Sequence, residues 1–187
     1  YFETLKPQTV ERFDDGLVID FGREAVGYLL LKGKGNKSDV VTVRCGEELN
    51  GDGRVRYKMR CDTVYEEKWI LSGKSDTLRQ FDYKAFRYVE LLFPESVEFD
   101  DIEFVIRYMP FEQKASYTTD NDKLKRVIDL CIDTVKYGTQ EVFVDCPTRE
   151  KGQYLGDVTV EARAHAIVTG DLSMIKKAIR DFCHSAF

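Results

Sequence analysis

The chain has 187 residues, room for one large domain or two small ones. It is 43% hydrophobic and 33% charged, with a formal charge of −5, the balance of an ordinary globular protein and not of one that binds nucleic acid through phosphates. No apolar run approaches the ~20 residues needed to cross a bilayer, so no membrane partner is expected.

There are five cysteines, at 45, 61, 131, 146 and 183, and none shows CxxC spacing. An odd count without that spacing fits neither a disulfide framework nor a zinc site. Reduced thiols that pack as small apolar groups are expected, which favours a cytoplasmic over a periplasmic or secreted setting. The N-terminus, Tyr1-Phe2-Glu3-Thr4-Leu5-Lys6-Pro7, has no signal-peptide pattern and no initiator Met. The chain therefore reads as a processed product or a piece of something longer.

The first ~110 residues read as strands. Leu17–Phe21 alternates and is expected to stop at Gly22. Val26–Leu31 is a second run ended by Gly33 and Gly35, and Val40–Cys45 a third. Asn50-Gly51-Asp52-Gly53 is a turn signal, because Gly and Asn tolerate positive φ. Val64–Leu71, Phe86–Leu91 and Ile102–Tyr108 complete the set. Many short strands without helical period predict an antiparallel β-sandwich. Trp69, Phe81, Tyr83, Phe86 and Tyr88 could line a sugar-binding face, but filling the core is the preferred reading.

After Pro110 the period changes. Thr119-Asp120-Asn121-Asp122 carries helix-capping residues, and Leu124, Val127, Ile128, Cys131 and Val135 then form one apolar stripe ending near Gly138. The boundary is set at 114/115, giving a sandwich over 1–114 and helices over 115–187. A loop follows: Asp145-Cys146-Pro147-Thr148-Arg149-Glu150-Lys151-Gly152-Gln153-Tyr154-Leu155-Gly156-Asp157. Carboxylates grouped on a loop over a rigid scaffold suit proton transfer to a sugar's leaving oxygen, or the gripping of its hydroxyls; a solvated, helix-capping loop is the alternative. A second helix is expected from near Asp157 to Gly170, and a third opens at Asp171-Leu172-Ser173.

These residues resemble a family. Asp145-Cys146-Pro147-x-Arg149-Glu150, followed by Gly156-Asp157, is similar to the acidic loop of bacterial α-L-rhamnosidases, glycoside hydrolase family 78. The strand half resembles it as well, in Asp20-Phe21-Gly22-Arg23-Glu24, Gly46-Glu47-Glu48-Leu49 and Tyr83–Glu90. The resemblance implies a β-sandwich leading into an (α/α)6 barrel, of which this chain would hold the first helices. It implies inverting hydrolysis of terminal α-L-rhamnose, with Glu150 as general acid and Asp145, Arg149, Tyr154 and Asp157 binding substrate. The general base would lie later in the barrel, so this piece alone should be inactive. Tyr154 stands where the family often has Trp, and Lys151 where it often has a second acid. Substrate would be a rhamnose-containing glycoside or polysaccharide, and self-association through exposed helix faces, a homo-oligomer, is anticipated.

No cofactor or metal is expected. Glu161 and His165 stand at i, i+4, but no second His is near, and a polar helix face is preferred. Cys146 has no neighbouring His to act as a thiol nucleophile's base. The competing function is a non-catalytic carbohydrate-binding sandwich; a third is a sandwich that only buttresses a neighbour.

Overall fold

A computed structural model describes residues 2–185. The chain divides into two compact units, Phe2–Arg107 and the residues from Tyr108 onward.

The first unit is antiparallel. Its strands are β1 (Phe2–Leu5), β2 (Thr9–Phe13), β3 (Gly16–Lys34), β4 (Val40–Gly46), β5 (Glu66–Ile70), β6 (Ser75–Arg79), β7 (Lys84–Leu92) and β8 (Glu98–Arg107). The hydrogen-bonded path runs β1-β8-β3-β7-β4-β5, with β2 and β6 also pairing β3. The N-terminal half of β3 pairs β2 and β7, and its C-terminal half pairs β8 and β6. At a bend in this one long strand β2 gives way to β8, while β7 pairs it on both sides. That bend is an irregularity between Asp20 and Ala25. Gly22 sits there at φ 81°, and its N–H donates to Asp20 Oδ1 at 2.6 Å. The expected stop at Gly22 is therefore corrected: the glycine bends the strand and does not end it.

The core of this unit is aromatic. Phe86 and Phe104 stack at 3.9 Å, and Phe21 meets Phe104 edge-on at 5.4 Å. Both Phe86 and Phe104 are fully buried, each burial stabilising by about 1.5–3 kcal/mol. Tyr83 is buried too, Trp69 and Tyr88 are half-buried, and Phe81 is fully exposed. Glu90 is buried because Arg44 and Arg54 both donate to it, at 3.2 and 2.8 Å. Of the cysteines, all free, only Cys45 is buried; Cys61, Cys131 and Cys183 are exposed, so the expected apolar packing fails for those three.

The second unit holds α1 (Asp122–Gly138), α2 (Leu155–Thr169) and α3 (Ser173–Ser185). Asn121 caps α1, accepting from the Leu124 N–H at 3.1 Å. Gly170, at φ 68°, ends α2 in the left-handed conformation that glycine adopts without a Cβ penalty. Phe143, Val158, Ala162, Met174 and Ala178 form a small core. The apolar stripe on α1 is not part of it: Leu124, Val127 and Cys131 are exposed, and Ile128 and Val135 are half-buried. No helix among the described residues is long and apolar enough to cross a membrane.

Candidate active site

The acidic loop is anchored on its N-terminal side by two buried residues, Phe143 and Val144. The Val144 N–H donates to the Gly138 carbonyl at 3.0 Å, tying the loop's root to the end of α1. The loop then closes on itself. Asp145 N–H donates to the Gly152 carbonyl at 2.9 Å, and Gly152 N–H returns to Asp145 Oδ1 at 2.8 Å. Lys151 N–H donates to the Cys146 carbonyl at 3.2 Å, from a backbone at φ 53°. That left-handed turn is uncommon for a long side chain and folds the loop back sharply.

The closure brings Glu150 to Asp145. Their carboxyls share a hydrogen bond, which is the main cause holding Glu150 above its ordinary pKa. Arg149, 3.2 Å from Glu150, pulls the other way and does not prevail. Asp145 is held below its ordinary value: burial raises it, but hydrogen bonds from Glu150 and from the backbone N–H groups of Gly152 and Cys146 outweigh that. The two shifts are opposite in direction, so of the pair Glu150 is the one that protonates more readily. Whether the like-charged neighbour or the arginine dominates is not readable from sequence, because it depends on which one the loop turns inward.

Ligand atoms of Asp145, Cys146 and Glu150 lie within 4.8 Å of one another. A metal could be held by such a trio, yet Asp145 Oδ1 is already engaged with Gly152. Tyr154 is the N-cap residue of α2 and is half exposed. Its ring covers Gly152, where an added Cβ would fall 2.6 Å from Cε2. Asp157 lies in the first turn of α2, exposed, at the positive end of the helix dipole. The structure therefore brings Asp145, Arg149 and Glu150 into direct contact and sets Tyr154 and Asp157 on the following helix start.

One residue of the neighbourhood is misjudged from sequence. Glu161 and His165 share a helix face as the spacing requires, but that face points inward, with His165 1% exposed. The i, i+4 pattern was the available signal; its direction was not.

Two family models match the chain. The bacterial alpha-L-rhamnosidase concanavalin-like domain matches residues 11–104, and the bacterial alpha-L-rhamnosidase 6 hairpin glycosidase domain matches residues 112–186. An alpha-L-rhamnosidase of Formosa agariphila is 23% identical over 164 residues, covering 83% of this chain and 17% of its own length. Among solved structures, the Streptomyces avermitilis alpha-L-rhamnosidase complexed with L-rhamnose superposes with a TM-score of 0.84 at 22% identity, over 99% of this chain and 18% of its own. The alpha-L-rhamnosidase from Dictyoglumus thermophilum gives 0.82 at 21% identity, over 94% and 20%. The chain spans about a fifth or less of the length of these relatives. With both of its units matched, this chain belongs to the bacterial α-L-rhamnosidases, glycoside hydrolase family 78.

Proposed function

We propose that the chain is part of an inverting glycosidase that releases terminal α-L-rhamnose, with a sandwich domain over 1–114 and the opening of the catalytic barrel over 115–187. Inversion makes two demands. A protonated carboxyl must donate to the departing oxygen, and a carboxylate must take a proton from water on the opposite ring face, across about 6.5–9.5 Å. Glu150 is the proton donor. Asp145, Arg149, Tyr154 and Asp157 hold the sugar: the carboxylates accept from its hydroxyls, and the tyrosine ring lies against its apolar face. The base belongs to a later part of the barrel, so this chain alone does not turn over.

The observation that carries the reading is the hydrogen bond between Glu150 and Asp145, which raises the pKa of Glu150. A general acid must still hold its proton near neutrality, and a like-charged neighbour is how proteins achieve this. The similarity of the fold to a rhamnosidase complexed with L-rhamnose supports the choice of sugar. The test is Glu150→Gln in the full-length protein on a chromogenic α-L-rhamnoside. Gln keeps the shape and loses the proton, so kcat should fall about 10²–10⁴-fold. Retention of the wild-type rate would remove Glu150 from the role.

A further inference from the structure

The inner face of α2 carries Glu161, His165 and Thr169 at successive turns. Two of them have local uses. The Thr169 hydroxyl donates to the His165 carbonyl at 2.8 Å, and the His165 ring meets Phe111 and Phe143 edge-on at 5.9 and 5.5 Å. Glu161 has none. Its Oε2 is buried without a hydrogen-bond partner. Its Oε1 occupies space that a side chain at 138 would need, 2.8 Å from where a Cβ on Gly138 would stand. Gly138 closes α1 and accepts the hydrogen bond from Val144, the residue before Asp145. Glu161 is thus seated against the root of the acidic loop.

We propose that Glu161 is a positioning residue for the acidic loop: its neutral carboxyl fills the niche beside Gly138 and steadies the loop's root, and once ionised it drives Asp145 and Asp157 out of sugar-holding geometry. The proposal rests on the sugar-binding role given above to those two aspartates. Burying a carboxylate without donors is costly, so the acid form is the one this site accepts. Burial, then the charges of Asp157 and Asp145, push Glu161 up to about 8. Among the described residues, the charges that act on it are both negative. Asp157 stands one turn before it on α2, and Asp145 faces it from the loop. His165, one turn later, is held below its ordinary value by burial. On α1, Lys136 lies over the Tyr108 and Tyr137 rings, at 4.1 and 5.3 Å. On α3, Asp181 is engaged with Lys177 and Gln153.

The experiment compares wild type and Glu161→Gln, which keeps the neutral shape at every pH, in the full-length protein. Between about pH 6 and pH 9, KM for an aryl α-L-rhamnoside should rise about tenfold in wild type and less than about twofold in the variant. The Glu161 carboxyl carbon, assigned by difference from the variant, should titrate in wild type with a midpoint near 8. That second measurement needs no turnover. An equal rise in KM in both proteins, or an ordinary carboxylate midpoint, would overturn the assignment. Turnover that Glu150→Gln leaves intact defeats the functional reading instead. A dead Glu150→Gln alongside a pH response that Glu161→Gln does not alter defeats the positioning role alone.

Discussion

At the scale of single residues, the loop sets two neighbours against each other over one proton. Asp145 raises Glu150, and Arg149 lowers it. A general acid works while protonated, so activity is present below its pKa and lost as pH rises through it. Asp145→Asn removes the raising partner and should move the alkaline limb of kcat/KM to lower pH. Arg149→Met should move the limb to higher pH, and only slightly because the pair is exposed to solvent. Both variants should also raise KM, since both residues are assigned to substrate. Limbs that move in the same direction in pH–rate profiles of the two variants would contradict this arrangement. The residue types and spacing of the loop are visible in the sequence. The balance between Asp145 and Arg149 is not, because it is decided by the backbone reversal at Lys151, a residue type that gives no turn signal.

Among the elements, β3 shows best where sequence reading succeeds and fails. Leu17–Phe21 and Val26–Leu31 announce themselves as strands by their β-branched and apolar residues, and the glycine between them looks like a terminator. Yet Gly22 is held inside one continuous strand by the Asp20 side chain, which accepts its N–H while Arg87 grips both carboxylate oxygens at 2.7 Å. Arg87 is remote in sequence, so nothing local reveals the brace. Gly22→Ala should destabilise by about 1–3 kcal/mol, because φ is positive there and the new Cβ would fall 2.2 Å from Gln8 Oε1. Gly51→Ala, where nothing lies within 4 Å, should change stability by less than about 0.5 kcal/mol. Urea unfolding midpoints would separate the two, and equal shifts would deny the bend its backbone requirement. The strands that escape sequence reading, β1, β2 and β6, are four or five residues long and carry exposed polar side chains. They sit where pairing with β8 or β3 supplies the stability that their own pattern does not. The helices are more legible, since caps at Asn121 and Gly170 lie close to where the sequence puts them. What the 3.6-residue period cannot say is which face turns inward: most of the α1 stripe is exposed, and His165 and Thr169 on the polar side of α2 are buried.

For the molecule as a whole, the two units have separate cores, and this bears on which of them meets sugar. The sandwich spends its central aromatics on itself: Phe21, Tyr83, Phe86 and Phe104 are buried between its layers. A face that stacks on a sugar needs exposed rings on rigid strands; Trp69 and Tyr88 are only half exposed, and Phe81, fully exposed, lies in the bend between β6 and β7. The acidic loop, in contrast, presents Glu150 and Asp157 to solvent on a closed and hydrogen-bonded frame. Residues 2–107, expressed alone, should therefore unfold in a single cooperative transition, since the apolar core is contained within them. In calorimetric titration with L-rhamnose the same piece should give no saturable heat. The full-length protein should bind, and Asp145→Asn and Asp157→Asn should each weaken that binding by about tenfold or more, the loss expected for a charge-assisted hydrogen bond to a hydroxyl. Saturable binding to residues 2–107, unaffected by either substitution in the full-length protein, would move recognition to the sandwich and make the chain a carbohydrate-binding module attached to helices.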